Sequence, residues 1–281
     1  MSFKTYFSGN NDAYILFNGS TYQTVKGEIN NDLLQQHLEG KISLGRSPLD
    51  ANNNCRWGAI DDDSHKSDKS KPVQEYDYNK LLKKINLLHL PLIVYKSKSG
   101  GAHMKLLLDK PYPAIKVRKF LKKMAYQLCD GTPEIFPKQD EVKSGETPSA
   151  INLPYNGKSR PCIDTEGNEL SVVEAMNYEA NNRRKLEELT PYYLLSNKEF
   201  PDGRNNKLFS AANYLKKNFP DSDWQNDIRE LNKTYADALP EQELENTVIK
   251  SVERKLYAED AEQEEVPKLK CYTLREYMNL D

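Results

Sequence analysis

A chain of 281 residues and 32.3 kDa, 37% hydrophobic and 29% charged, can build one large core or two smaller ones, and its 17 tyrosines exclude wholesale disorder. A formal net charge of -2 and a mean hydropathy of -0.81 exclude a uniformly basic nucleic-acid coat. The longest apolar stretch, Ile85–Tyr95, is broken by Asn86, His89 and Pro91 and is too short to span a membrane.

The N-terminus carries Lys4 without an apolar run behind it, so the expected compartment is a reducing cytoplasm, with no membrane partner. Cys55, Cys129, Cys162 and Cys271 are scattered without a Cys-x-x-Cys pair, which argues against zinc. Charge is segregated: Lys66–Lys123 carries a net +11 and Asp221–Asp281 a net −8. The basic stretch suits a polyanionic ligand and the acidic end a separate task, although lysines also simply decorate exposed helix faces.

In chain order, Ala13–Phe17 reads as a short strand, and Asn31–Leu38 as a helix capped by Asn31. Lys41–Arg46 leads through an Asn-rich turn into Trp57–Asp63; Arg46 is a candidate phosphate contact or an ordinary surface arginine. Lys66–Lys71 reads as a loop and Tyr76–Leu88 as a helix. Leu92–Tyr95 is a buried strand, Ser97–Gly101 a turn, and His103–Leu108 the returning strand. Pro113 stands as a first-turn proline for a helix to Leu128, with Val117, Phe120, Leu121, Met124 and Leu128 inward and Lys116, Lys119, Lys122 and Lys123 outward. Glu134–Phe136 and Ala150–Leu153 are strand-like, and Asp164–Asn168 is a turn. Alternating strands and helices predict an α+β architecture with a mixed sheet. Beyond a boundary at Glu187–Thr190, Asn205–Phe219, Asp223–Tyr235 and Gln242–Leu256 predict three helices, followed by an acidic segment and a short helix at Thr273–Leu280.

The chemistry concentrates at Asp61-Asp62-Asp63. On a strand, Asp61 and Asp63 face one way and Asp62 the other. Paired carboxylates are costly to desolvate unless a cation neutralises them, and Mg²⁺ is held by one or two carboxylates plus substrate phosphates. The alternative is a polar turn with solvated aspartates. Ser97-Lys98-Ser99-Gly100-Gly101-Ala102-His103 offers backbone amides and an imidazole to a phosphate, or an ordinary Gly-Gly hairpin. Glu134 is a candidate third carboxylate, Lys138 a candidate triphosphate contact, and Asn152 an asparagine among apolar neighbours that needs partners. Carboxylates, a histidine and a lysine near a glycine turn match two-metal phosphoryl or nucleotidyl transfer.

Ile60-Asp61-Asp62-Asp63, Ser99-Gly100-Gly101-Ala102-His103 and Glu134-Ile135-Phe136 stand in the order of the three motifs of archaeo-eukaryotic-type primases. The chain most resembles the primase-polymerase branch found in phages and TOTE conflict systems. His37–Gly40, Gly45–Leu49 and Ile151–Tyr155 are also similar to that branch, and Gly203–Phe209 with Leu239–Leu244 resembles its helical primase C-terminal domain. The family's second motif has Ser-x-His, whereas Gly101 stands two before His103, and Asp62 occupies a usually apolar position.

The resemblance, which covers about Phe7 to Lys255, implies an RRM-like primase catalytic domain over residues 1–187 and a small all-α helical bundle over 188–257; the acidic tail over 258–281 is expected, apart from the resemblance, to dock a partner through Leu269–Leu280. It implies template-directed nucleotidyl transfer on single-stranded DNA from ribo- or deoxynucleoside triphosphates. Asp61, Asp63 and Glu134 would hold Mg²⁺ or Mn²⁺. His103 would contact the nucleotide phosphates with Ser99, Gly100 and Gly101, and Lys138 and Asn152 would contact the nucleotide too. Arg46, Lys96, Lys98, Lys119, Lys122 and Lys123 would meet nucleic acid. A downstream helicase is common in the branch, so the chain is either truncated or served by a separate helicase or single-strand-binding protein. A metal-dependent nuclease on the same carboxylates and a non-catalytic nucleic-acid adaptor are the competing readings.

Overall fold

The computed structural model describes residues 3–63, 75–143, 145–195 and 203–254. The expectations for Lys66–Lys71, the acidic segment, Thr273–Leu280 and the Leu269–Leu280 docking segment lie outside the described residues, as does Cys271.

The central element is a six-stranded sheet. Strand β4 (Asn54–Asp62) leads to helix α3 (Tyr78–Leu87) and β5 (Ile93–Lys96); β6 (Ala102–Pro113) leads to α4 (Ala114–Leu128) and β7 (Glu134–Phe136). The spatial order is β5-β6-β4-β7, extended beyond β5 by β9 (Cys162–Ile163) and β10 (Glu169–Leu170). β6 lies between β4 and β5, and β4 lies between β6 and β7. Each helix therefore joins strands that run the same way without touching, which makes two split β-α-β units in a β-α-β-β-α-β chain. This corrects the mixed sheet: every ladder between these strands is antiparallel, because each crossover leaves room for an oppositely running strand.

Both helices cover one face of this sheet. Leu81, Leu82 and Ile85 of α3 and Val117, Phe120, Leu121 and Met124 of α4 pack on Ile60, Val94, Met104 and Leu106. Gly58 lets α4 settle there, since a Cβ at that position would stand 2.6 Å from Leu121 Cδ1. The same core continues into the helical segment through Leu208, Tyr214, Ile228, Leu231 and Val248. That segment comprises α6 (Arg204–Asn218), α7 (Trp224–Asn232) and α8 (Glu241–Leu244), the last continuing through a π-helical stretch at Glu245–Ile249. Asp223 caps α7 and Pro240 precedes α8, as their start signals predict.

The opposite face carries Trp57, Ala59, Ile93, Tyr95 and Leu107, clustered with Tyr14, Leu44 and Ile151 of a second sheet. That sheet has the order β2-β1-β3-β8, made of β1 (Ala13–Phe17), β2 (Tyr22–Lys26), β3 (Ser43–Arg46) and β8 (Ile151–Asn152). Helix α1 (Phe3–Tyr6) closes the cluster, its neighbour Phe7 packing edge-on against Trp57. Helix α2 (Asn31–Leu38) is capped by Asn30 rather than Asn31, because Asn30 is extended and its side chain accepts from Leu33 N–H. Pro113 likewise stands one residue outside α4, at its N-cap.

Candidate active site

The antiparallel register sets the site. Asp61 lies opposite His103 of β6 on one side and Glu134 of β7 on the other. His103 in turn lies opposite Tyr95 of β5, and Tyr95 opposite Cys162 of β9. Directly opposed residues share a face, so Tyr95, His103, Asp61 and Glu134 form one row on the face turned away from α3 and α4. His103 Nε2 stands 3.3 Å from Asp61 Oδ1, with both side chains largely buried. Their alignment forms no hydrogen bond, and Asp61 Oδ1 is buried without a hydrogen-bond partner.

Asp62 belongs to the other face, level with Ala102 and beside α3, where Tyr76 Oη donates to its Oδ2 at 2.7 Å. Asp63 follows the end of β4. Its Oδ1 accepts from Ser99 Oγ in the β5–β6 turn. Ser97 Oγ lies 2.7 Å from Ser99 Oγ and accepts from the Ser99 and Gly101 amides, at 3.2 and 3.0 Å. A carboxylate only accepts, so Ser99 gives its proton to Asp63 and Ser97 donates to Ser99. Gly101 is required by contact: a Cβ there would stand 2.2 Å from the Asp62 carbonyl oxygen. The Gly100 amide points back to Ser97 O at 3.4 Å. These amides therefore bond within the turn, and it is the Ser99 hydroxyl that holds the Asp63 carboxylate.

Lys138 folds back on Glu134 at 2.7 Å, following a cis Phe136–Pro137 bond. Asn152 and Arg46 sit in the small sheet, on opposite faces: Asn152 pairs with Gly45, and Arg46 with Ile151. Arg46 is buried, donating Nε–H to Asn10 O at 2.9 Å and binding the Asn11 side chain. It is neither a surface arginine nor displayed to a ligand here. Lys96 turns to the helix side, against Tyr78 and Glu169. Lys119, Lys122 and half-buried Lys123 ride on α4, so the large sheet separates them from the Asp61 row. Lys98 alone of the expected basic contacts extends from the turn that holds Asp63, its Nζ 2.7 Å from Tyr22 Oη.

A buried ionisable group beside the row escapes sequence reasoning. Lys105 lies two residues from His103 on the same face, fully buried, with Nζ lacking a hydrogen-bond partner and lying 4.4 to 4.9 Å from the Phe7, Trp57 and Tyr95 ring centroids. Burial pushes its pKa down to about 7. Tyr95 and Tyr155 each donate to Glu179 Oε1 at 2.6 Å, and burial raises the Glu179 pKa. Only a lysine interrupting an apolar strand marks this site in the sequence.

Among the described residues, no three His, Cys, Asp or Glu side chains converge to hold a metal ion. The donor chemistry nevertheless fits a hard cation: Asp61 presents a buried orphaned oxygen, and Asp63 and Glu134 supply further carboxylates, one tied to Ser99 and one to Lys138. Mg²⁺ needs only one or two protein carboxylates when substrate phosphates complete its shell.

Comparison with curated proteins returns no match. Comparison with protein families matches residues 17–166 to the domain described as TOTE conflict system, Archaeo-Eukaryotic Primase domain. The matched span contains the Asp61 row, the Ser97–Gly101 turn and the strands from β2 to β9, and it begins at Phe17, the last residue of β1. By this match over more than half its length, the chain belongs to the archaeo-eukaryotic primase family of TOTE conflict systems.

Proposed function

We propose that the chain is a primase-polymerase joining nucleotides on a single-stranded DNA template, with an RRM-like catalytic domain to about residue 187 and a helical primase C-terminal domain after it. The observation that carries this reading is the single row of Asp61, His103 and Glu134 across three strands, with Asp63 directly after β4. Asp61, Asp63 and Glu134 would hold Mg²⁺ or Mn²⁺. The chemistry such an ion would supply when held by these carboxylates is activation of the attacking hydroxyl and neutralisation of charge on the leaving pyrophosphate.

The chain's own residues orient the nucleotide. His103 presents a ring N–H to a phosphate oxygen. Lys138 exchanges Glu134 for the triphosphate, which releases the carboxylate. Ser99 aims Asp63, and Lys98 neutralises template phosphate. Asn152 contacts the nucleotide from the small sheet, and the helical segment helps hold the initiating nucleotide or the template. A helicase or single-strand-binding protein is the expected partner.

Incubating the protein with a single-stranded template, Mg²⁺ or Mn²⁺ and labelled nucleotides tests this. Products longer than the input support a polymerase. Shortened input identifies a nuclease instead, and binding with neither change identifies an adaptor.

A further inference from the structure

The small sheet carries an aromatic surface tied to the catalytic turn. Phe17 and Tyr22 are register partners closing the β1–β2 hairpin, with ring centroids 4.6 Å apart. Tyr22 is 55% exposed although the hairpin offers it neighbours. Alternation along the strands places Ile15, Thr24, Gly45 and Asn152 on this same face, opposite the one that holds Leu44 and Ile151. The next residues around the hairpin, Asn18 to Thr21, are exposed and short, so the Tyr22 ring reaches solvent while Phe17 is half-buried beside it.

Lys98 reaches this surface from the β5–β6 turn. Its Nζ lies 3.6 Å from the Phe17 ring centroid and 4.8 Å from that of Tyr22, and 2.7 Å from Tyr22 Oη. The following residue, Ser99, bonds Asp63. One five-residue turn therefore joins a cation seated on the Phe17 and Tyr22 rings to a carboxylate of the candidate active site. An aromatic face with a lysine at its edge is the recognition chemistry of an unpaired nucleobase and its phosphate: every base presents a π-face, and the ammonium meets the backbone charge.

We propose that Phe17, Tyr22 and Lys98 form a stacking platform for one unpaired base of the template strand, with Lys98 moving from the rings to the adjacent phosphate when the base stacks. The proposal rests on the primase-polymerase reading for the identity of the strand. A duplex, whose bases are stacked on each other, is not a ligand for it. Through the turn, occupancy of the platform also bears on Ser99 and Asp63, so an engaged template and an aimed Asp63 go together.

The test is anisotropy of a fluorescent single-stranded oligonucleotide with the full chain, with a 5-iodouracil version for photocrosslinking. Tyr22→Ala is expected to weaken single-strand binding about tenfold, the scale of losing one base–aromatic stack, while Tyr22→Phe retains it. Duplex affinity and affinity for a fluorescent nucleotide stay unchanged in both variants, and crosslinks map to Tyr22 or Phe17. Unchanged single-strand affinity in folded Tyr22→Ala, equal losses in Tyr22→Ala and Tyr22→Phe, or weakened nucleotide binding instead of strand binding each overturns the platform. A wild-type chain without single-strand affinity overturns it as well. Tyr22-dependent strand binding without nucleotide incorporation supports the platform and removes the polymerase reading; incorporation with unaltered Tyr22→Ala binding does the reverse.

Discussion

Tyr76 donates its hydroxyl to Asp62 Oδ2 at 2.7 Å, on the helix-covered side of the sheet, while Asp61 faces His103 and Glu134 on the other side. The three consecutive aspartates are thus divided between two tasks. Asp62→Asn keeps the shape and a carbonyl acceptor for Tyr76, so incorporation should stay within about twofold of wild type. Asp61→Asn should lower it by about a hundredfold or more, the scale of removing one electrostatic contact to a reacting centre. Steady-state incorporation of labelled nucleotide by the two variants checks the division.

Ser99 is a positioning residue for Asp63. Ser99→Ala removes the hydroxyl that Asp63 accepts from, and should raise the Mn²⁺ concentration needed for half-maximal incorporation several-fold. Ser99→Thr should restore it. A fall in activity with an unchanged metal requirement would argue that Ser99 acts elsewhere.

Gly101 has no room for a side chain. Gly101→Ala places a methyl group 2.2 Å from the Asp62 carbonyl oxygen, so β4 and β6 must separate at the site. The expected cost is about 1–3 kcal/mol, the usual range for forcing a carbon into packed surroundings. Urea unfolding of the variant measures it, and activity should fall by more than stability explains.

Three buried bases, His37, Lys84 and Lys105, contribute to the pH profile of stability, Lys84 being lowered by burial to about 8. His37 accepts from Leu44 N–H at Nδ1 and lies 2.9 Å from Pro154 O through Nε2, an arrangement that requires the neutral ring. Burial holds its pKa down at about 4 from 6.5, so its contribution is complete above 6.5 and is lost as pH falls through 4. That is worth about 3 kcal/mol at most. Lys105 is lowered from 10.5 to about 7, so the unfolded chain holds the extra proton between those values and stability rises with pH across them. Urea midpoints measured from pH 4 to 10 should show both rises, and Lys105→Met should reduce the alkaline one to the part that Lys84 contributes above about 8.

Much of this was readable before the fold. Apolar runs bounded by glycine and proline mark β4, β5, β6 and α4, and period-two alternation already separates Asp62 from Asp61. β2 escapes because Tyr22–Lys26 is an exposed edge with no apolar face to announce it. Helix α5 (Val172–Asn181) has a start signal in the sequence: Ser171 and Glu174 form a capping box at the spacing such boxes require. The Ser99–Asp63 bond, the burial of Arg46 under Asn10 and Asn11, and the Lys105 aromatic cage depend on contacts between distant segments, for which local pattern carries no signal. The same limit produced the mixed sheet, since local alternation reports crossovers but not the strand that fills the gap between them.

The most direct test is template-directed incorporation of labelled nucleotide by Asp61→Ala combined with Asp63→Ala, compared with wild type at equal folded concentration in Mg²⁺ and in Mn²⁺. The wild-type chain should extend and the double variant should give no product above background while still binding single-stranded DNA. Incorporation at the wild-type rate by the double variant would contradict the assignment of this row as the active site.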